Sequence, residues 1–162
     1  MRRPVGRSSA PTEVPDDGVA TPAPAPIPAP IPAPVPTSKP APSPGCEHRP
    51  GGALIDLEIK DRDGTRPAEH LTIWSTSPKF IEEAARLAES GERRVPVFER
   101  VVDGADCDAQ YSWHVDPGDM SFVDASTEVC DAEPSFVEEV KDHWISAVGR
   151  YCPWNAKIVG VR

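Results

Sequence analysis

Apolar and polar residues alternate over residues 53–60, with Ile55, Leu57 and Ile59 on one side, as a strand with one buried face requires. Asp61-Arg62-Asp63-Gly64 follows, and its Asp-Gly pair predicts a tight hairpin turn, with residues 70–75 as the returning strand. The period then becomes helical. Phe80, Ile81, Ala84, Leu87 and Ala88 form one stripe, Ser77 and Pro78 stand at the N-cap and first position, and Gly91 closes the segment. Glu82 and Arg86 predict an i,i+4 ion pair on its outer face.

Residues 95–102 read as one strand whose start Pro96 places on an edge or in a bulge. Asp103-Gly104 predicts a turn, residues 111–115 a short strand, and Asp116-Pro117-Gly118-Asp119 another turn. Residues 122–130 carry no clear period, 128–130 being the most strand-like part. Ser135-Phe136-Val137-Glu138 reads as a capping box, with Val137, Val140 and Trp144 on one helix face and Gly149 as the breaker. A turn at residues 151–154 leads to a last strand over 156–161. Two helices interrupting hairpin-joined strands predict an α+β fold with a mainly antiparallel sheet.

Composition separates the N-terminal part from this pattern. Fifteen of the 21 prolines lie in residues 1–50. Residues 1–20 are polar and patternless, which predicts disorder. Residues 21–50 form a Pro/Ala-rich linker, and between Thr21 and Pro44 proline alternates with alanine, isoleucine or valine. Proline fixes φ and pushes its predecessor to extended geometry, so a polyproline II stalk is expected, on the order of 70 Å long. Basic anchors for an SH3-type groove are missing inside the repeat, and a spacer is the simpler use. The folded domain is assigned to residues 51–162, enough chain for one core.

Charge narrows the partners. Residues 1–50 hold five basic and four acidic residues, leaving 17 − 5 = 12 basic and 26 − 4 = 22 acidic residues in the domain, a net of −10. Phosphate backbones and anionic lipid surfaces repel such a domain, so neither nucleic acid nor a membrane is an expected partner. No apolar run reaches the length of a membrane span, and no signal peptide is visible near Met1.

The cysteines Cys46, Cys107, Cys130 and Cys152 contain no CxxC, which argues against a zinc knuckle or redox pair and for two disulfides. An extracellular or cell-surface location follows, with export depending on an upstream start outside this sequence. Of the three possible connectivities, the preferred one joins Cys130 to Cys152 and Cys46 to Cys107. The first closure contributes roughly 3 kcal/mol by the chain-entropy argument.

Candidate chemistry is sparse. His114 and Asp116 are two apart and share a face on a strand, the pattern of a proton shuttle or a metal-binding pair, with Asp119 and Asp124 as further oxygens. Asp116 before Pro117 is equally explained as a turn-closing side chain. No GxSxG elbow or glycine-rich phosphate loop occurs, and the DxDG stretch lacks the remaining ligands of a calcium loop. Trp74, Trp113, Trp144 and Trp154 suit a core at least as well as a surface. The expectation is therefore no enzyme, no catalytic residues, no metal and no cofactor. A non-catalytic module is expected to bind a protein or peptide through Trp113, His114, Asp116 and Trp154. The alternative is a small metal-dependent or hydrolytic enzyme centred on His114 and Asp116.

Three motifs, Tyr111-Ser-Trp-His-Val-Asp-Pro117, Glu128-Val-Cys-Asp-Ala132 and Tyr151-Cys-Pro-Trp-Asn155, together resemble the BP-seventy-four N-terminal-type domain family over about residues 53–162. In that pattern a tryptophan stands where this chain has Tyr151, which alters one packing contact. The resemblance implies an extracellular module in which the cysteine of Val-Cys-Asp pairs with that of Cys-Pro-Trp. It implies no activity, cofactor or catalytic residue, and it does not cover Cys46 or Cys107.

Overall fold

The computed structural model describes residues 46–162; the expected disordered segment and the linker as far as residue 45 lie outside the described residues. A three-stranded antiparallel sheet in the order β2-β1-β7 forms from β1 (Ala53–Ile59), β2 (Glu69–Ser75) and β7 (Ala156–Val161). Its register pairs Ile55 with Ile73 and Leu57 with Leu71. These four side chains, with Ile59, therefore share one face, and all are buried. Helix α1 (Pro78–Ser90) adds Phe80, Ala84 and Leu87 to the same core.

Two separate two-stranded antiparallel ladders accompany this sheet, one nested in sequence inside the other. Strand β3 (Val95–Phe98) pairs with β6 (Met120–Val123), and β4 (Val101–Asp103) pairs with β5 (Trp113–Val115). The continuous strand expected over 95–102 is thus broken at Glu99-Arg100. There the chain bonds across to the opposite turn, Glu99 N–H to Asp119 O at 3.1 Å and Asp116 N–H to Arg100 O at 3.0 Å. Helix α2 (Pro134–Glu139), the short α3 (Lys141–His143) and a π-helical turn over Trp144–Val148 follow, ended by Gly149. The α+β architecture with antiparallel sheets and two disulfides is as expected, and both predicted bridges, Cys46–Cys107 and Cys130–Cys152, are formed.

The sheet is covered on its second face as well. Leu54, Asp56 and Trp74 are buried there, under the Cys46–Cys107 bridge. Asp56 accepts Thr72 Oγ1 at 2.8 Å and the Arg162 guanidinium at 2.9–3.0 Å, so a buried carboxylate keeps its partners. Gly52 is required beside this layer. A Cβ there would lie 2.2 Å from Ser75 O and under 3 Å from the Trp74 ring.

Four local expectations are corrected. Asp61-Gly64 does turn, but as part of a loop over residues 60–68, not a tight hairpin, because the β1–β2 ladder ends at Ile59–Glu69. Asp61 Oδ2 organises that loop by accepting Thr65 N–H, Thr65 Oγ1 and Arg66 N–H. Arg86 pairs with Glu83 and Glu92, not Glu82, since the fork reaches two carboxylates at once. The hydrogen bonds from Arg86, reinforced by Arg94, hold the Glu83 carboxyl at about 2. Residues 128–130 form a 3-10 turn rather than a strand, and the pairing strand is β6 upstream.

The Ser135–Glu138 capping box does not form. Ser135 N–H and Oγ instead donate to the Glu69 carboxylate at 2.8 and 2.6 Å. Glu138 accepts Ser112 N–H and Oγ at 2.8 and 2.7 Å. The start of α2 is therefore held by Glu69 of β2, and its end by Ser112, just before β5. Ser135→Ala and Glu69→Ala should each destabilise by about 1–3 kcal/mol. A double-mutant cycle in urea should show coupling between Ser135 and Glu69 and near-zero coupling between Ser135 and Glu138.

Candidate functional site

The four residues singled out from the sequence do not meet. Trp113 lies in the core at 1% exposure, edge-on to Tyr151 with ring centroids 5.3 Å apart. His114 on β5 sets Nδ1 2.6 Å from Gly104 O. Asp116 accepts Gly118 N–H at 3.0 Å and a hydrogen bond from the Arg100 guanidinium, and these two hold its carboxyl below the usual range. Trp154 sits in another part of the molecule, half-buried, its backbone N–H donating to Asp131 Oδ1 at 2.9 Å. Of the further oxygens considered, Asp124 is bound by Arg94 at 3.1 Å and Asp119 uses its backbone carbonyl for Glu99.

The space beneath Trp113 and His114 is a void of about 10 Å³, room for at most one water. Among the described residues the one cluster of metal-ligating types is Cys46, Asp106 and Cys107. Both cysteines are in their disulfide, so it offers no thiolate.

A more complete arrangement is built by the segments around Cys130 and Cys152. Cys152 N–H donates to Cys130 O at 2.8 Å, beside the disulfide, so the two segments run side by side. Tyr151, fully buried, exchanges backbone bonds with Phe98 at 2.8 and 2.9 Å and donates its hydroxyl to Ala132 O at 3.0 Å. Burial also pushes its phenol far above the ordinary range, so the proton stays on to donate. Asn155 O accepts Lys60 N–H at 3.4 Å, joining the clamp to the end of β1. Pro153 is buried behind, which fixes the turn that presents Trp154 and Asn155.

The clamp forms one wall of a cleft of about 190 Å³, and the loop after β1 forms the other. Ile59, Lys60 and Arg62 lie on one side; Glu128, Asp131, Ala132, Glu133 and Asn155 complete the lining. Two ion pairs cross between the walls, Arg62 to Glu128 at 2.6 Å and Arg66 to Glu133 at 3.0 Å. Inside, the Asp131 carboxyl is raised above its usual value, chiefly by burial, against the lowering effect of the Trp154 N–H. The arrangement suits reversible recognition of a polar or charged group.

Asp131, Asn155, Lys60 and Arg62 carried no signal of their own in the sequence. Asp131 and Asn155 flank the cysteine motifs, where they read as markers of a disulfide rather than as lining. The approach of the 60–68 loop is a tertiary event that no local pattern announces.

A family model of the BP-seventy-four N-terminal domain matches residues 57–162. No curated protein and no solved structure matches the chain.

The Asp131 shift has a sign that can be checked. Its folded value lies above the unfolded one near 3.9, so the ionised form is less at home in the folded state. The contribution of Asp131 to stability therefore falls as pH rises through that window, opposite in sign to that of Glu83. Asp131→Asn should raise the urea midpoint slightly at pH 7. The gain should vanish as pH is lowered to about 3.

Proposed function

The chain belongs to the BP-seventy-four N-terminal domain family, and from that premise we propose that it is a non-catalytic, extracellular or cell-surface interaction module. Its proline-rich segment serves as a spacer, and its recognition surface is the clamp cleft, not the sheet around His114. The observation that carries this is the convergence of the three motifs. Trp113, Cys130, Asp131, Tyr151 and Trp154 interlock through one disulfide and one buried tyrosine, and Asp131 with the neighbouring Ala132 and Asn155 carries this arrangement into the lining of the cleft. Two disulfides support an oxidising compartment, where such a clamp persists. No helix among the described residues is long and apolar enough to cross a membrane.

A hydrolytic or metal-dependent enzyme centred on His114 and Asp116 would need both side chains directed at a shared site. Each is occupied by a different structural bond, His114 with Gly104 O and Asp116 with Arg100 and Gly118. A protein or peptide is the partner that suits a shallow, charged cleft beside half-buried aromatic surface.

Selection of a displayed random-peptide library on the immobilised full chain should enrich binders. These should be lost with Asp131→Arg and retained with His114→Ala. Turnover of peptide, ester or glycoside substrates, or stoichiometric metal by native mass spectrometry that disappears in His114→Ala, would overturn the proposal.

A further inference from the structure

We propose that the clamp cleft takes one organic cation, the ammonium or guanidinium group of a single basic side chain, with Asp131 as its counter-charge. This rests on the interaction-module reading and specifies the chemistry of its partner. Size comes first. A cavity of about 190 Å³ is smaller than the ~300 Å³ at which drug-sized pockets begin, so it admits one side chain rather than a cofactor.

Sign comes second. The lining holds two cations, Lys60 and Arg62, and three carboxylates, Glu128, Asp131 and Glu133, a formal excess of one negative charge, 2 − 3 = −1. The cations already have partners. Arg62 is bound by Glu128, and Lys60 lies 3.7 Å from Glu58. Glu133 is likewise met by Arg66.

Asp131 is different. No lysine or arginine among the described residues lies within salt-bridge distance of it; Arg62, held by Glu128, acts on it only from farther off, and its hydrogen bond comes from a neutral backbone N–H. A half-buried carboxylate in that condition is costly to ionise, and an incoming cation relieves that cost. An anion would instead face Asp131, Glu128 and Glu133 together, with both cations already engaged.

The choice between an organic cation and a metal ion follows from the donors. A hard divalent ion needs several oxygens converging on one point. Among the described residues no such convergence of carboxylates occurs at the cleft. One carboxylate with a neighbouring amide, Asn155, is instead the donor set for a directional N–H hydrogen-bonding group. The walls add apolar surface from Ile59 and Ala132 for the stem of a long basic side chain.

The test uses the full chain with both disulfides intact and four probes followed by amide NMR shifts. These are the peptide acetyl-Gly-Gly-Lys-Gly-Gly-amide, its arginine counterpart, its Nε-acetyl-lysine counterpart, and n-butylamine. The lysine or arginine peptide should give saturable shifts confined to residues 59–62, 128–133 and 154–155, and the acetylated peptide none. Butylamine competing as strongly as the peptides would assign the source as free amines. Weaker competition would assign it as a peptide side chain.

Asp131→Asn keeps an acceptor for Trp154 N–H and should weaken binding at least tenfold, while Glu139→Gln leaves it unchanged. If Asp131→Asn does not fold, a pH series on the unsubstituted protein decides, with affinity falling as Asp131 protonates. Equal binding of the acetylated peptide, shifts scattered outside the cleft, or affinity that rises at low pH would overturn the cation assignment. Those outcomes leave the interaction-module reading to its library selection. Cleavage of a probe, seen by mass, would instead overturn that reading.

Discussion

Tyr151 and the neighbouring Cys152 are the contact on which the rest of the domain depends. The ring is fully buried, meets Phe98, Trp113 and Trp144 at 5.3–6.4 Å, and sends its hydroxyl to Ala132 O. The next residue is bridged to Cys130. Through these two positions the β3 strand, the β5 strand, the π-helical turn and the 128–132 segment share one packing centre. A larger ring at 151 would gain apolar area but lose the phenolic donor that holds Ala132 O. In a domain of this size a single disulfide of that span contributes about 3 kcal/mol, a sizeable part of the usual net stability.

The second bridge has a different task. Cys46–Cys107 closes a span of 61 residues and covers the far side of the sheet, over Leu54 and Trp74. Arg49 stacks on Trp74 at 5.4 Å and is bound by Asp106 at 2.6 Å, so the start of the described chain is fastened by a bridge, a ring and an ion pair. The sheet is thereby buried on both faces, which is why Asp56 in the middle of β1 needs Thr72 and Arg162 as compensation. Outside this layer arginines join distant segments through carboxylates, as Arg62, Arg94 and Arg150 do. Individually such exposed pairs add little; at the cleft they matter because they set the spacing of its walls.

Much of the fold could be read from periodicity. The β1 strand, the α1 stripe and its glycine stop, and the cysteine pairs all appear where the pattern of residues puts them, although β1 is buried on both faces and not on the single face expected. What failed was local chemistry overridden by tertiary partners. Ser135 and Glu138 have capping-box spacing, yet the helix already begins at Pro134, so Ser135 lies inside its first turn and the two side chains bond Glu69 and Ser112 instead. The 95–102 run reads as one strand, but its halves find separate partners on either side of Glu99-Arg100. The cleft was the least legible part. Asp131 and Asn155 acquire meaning only when the disulfide places them beside a loop that starts at residue 60.

The Cys130–Cys152 clamp, centred on Tyr151, organises both the aromatic core around Trp113 and the cleft. Hydrogen exchange on the Cys130→Ser/Cys152→Ser variant should therefore show lost protection over 113–115, 128–133 and 151–155, with the β1–β2 ladder still protected. Unchanged protection at the cleft, or uniform loss across the whole domain, would contradict it.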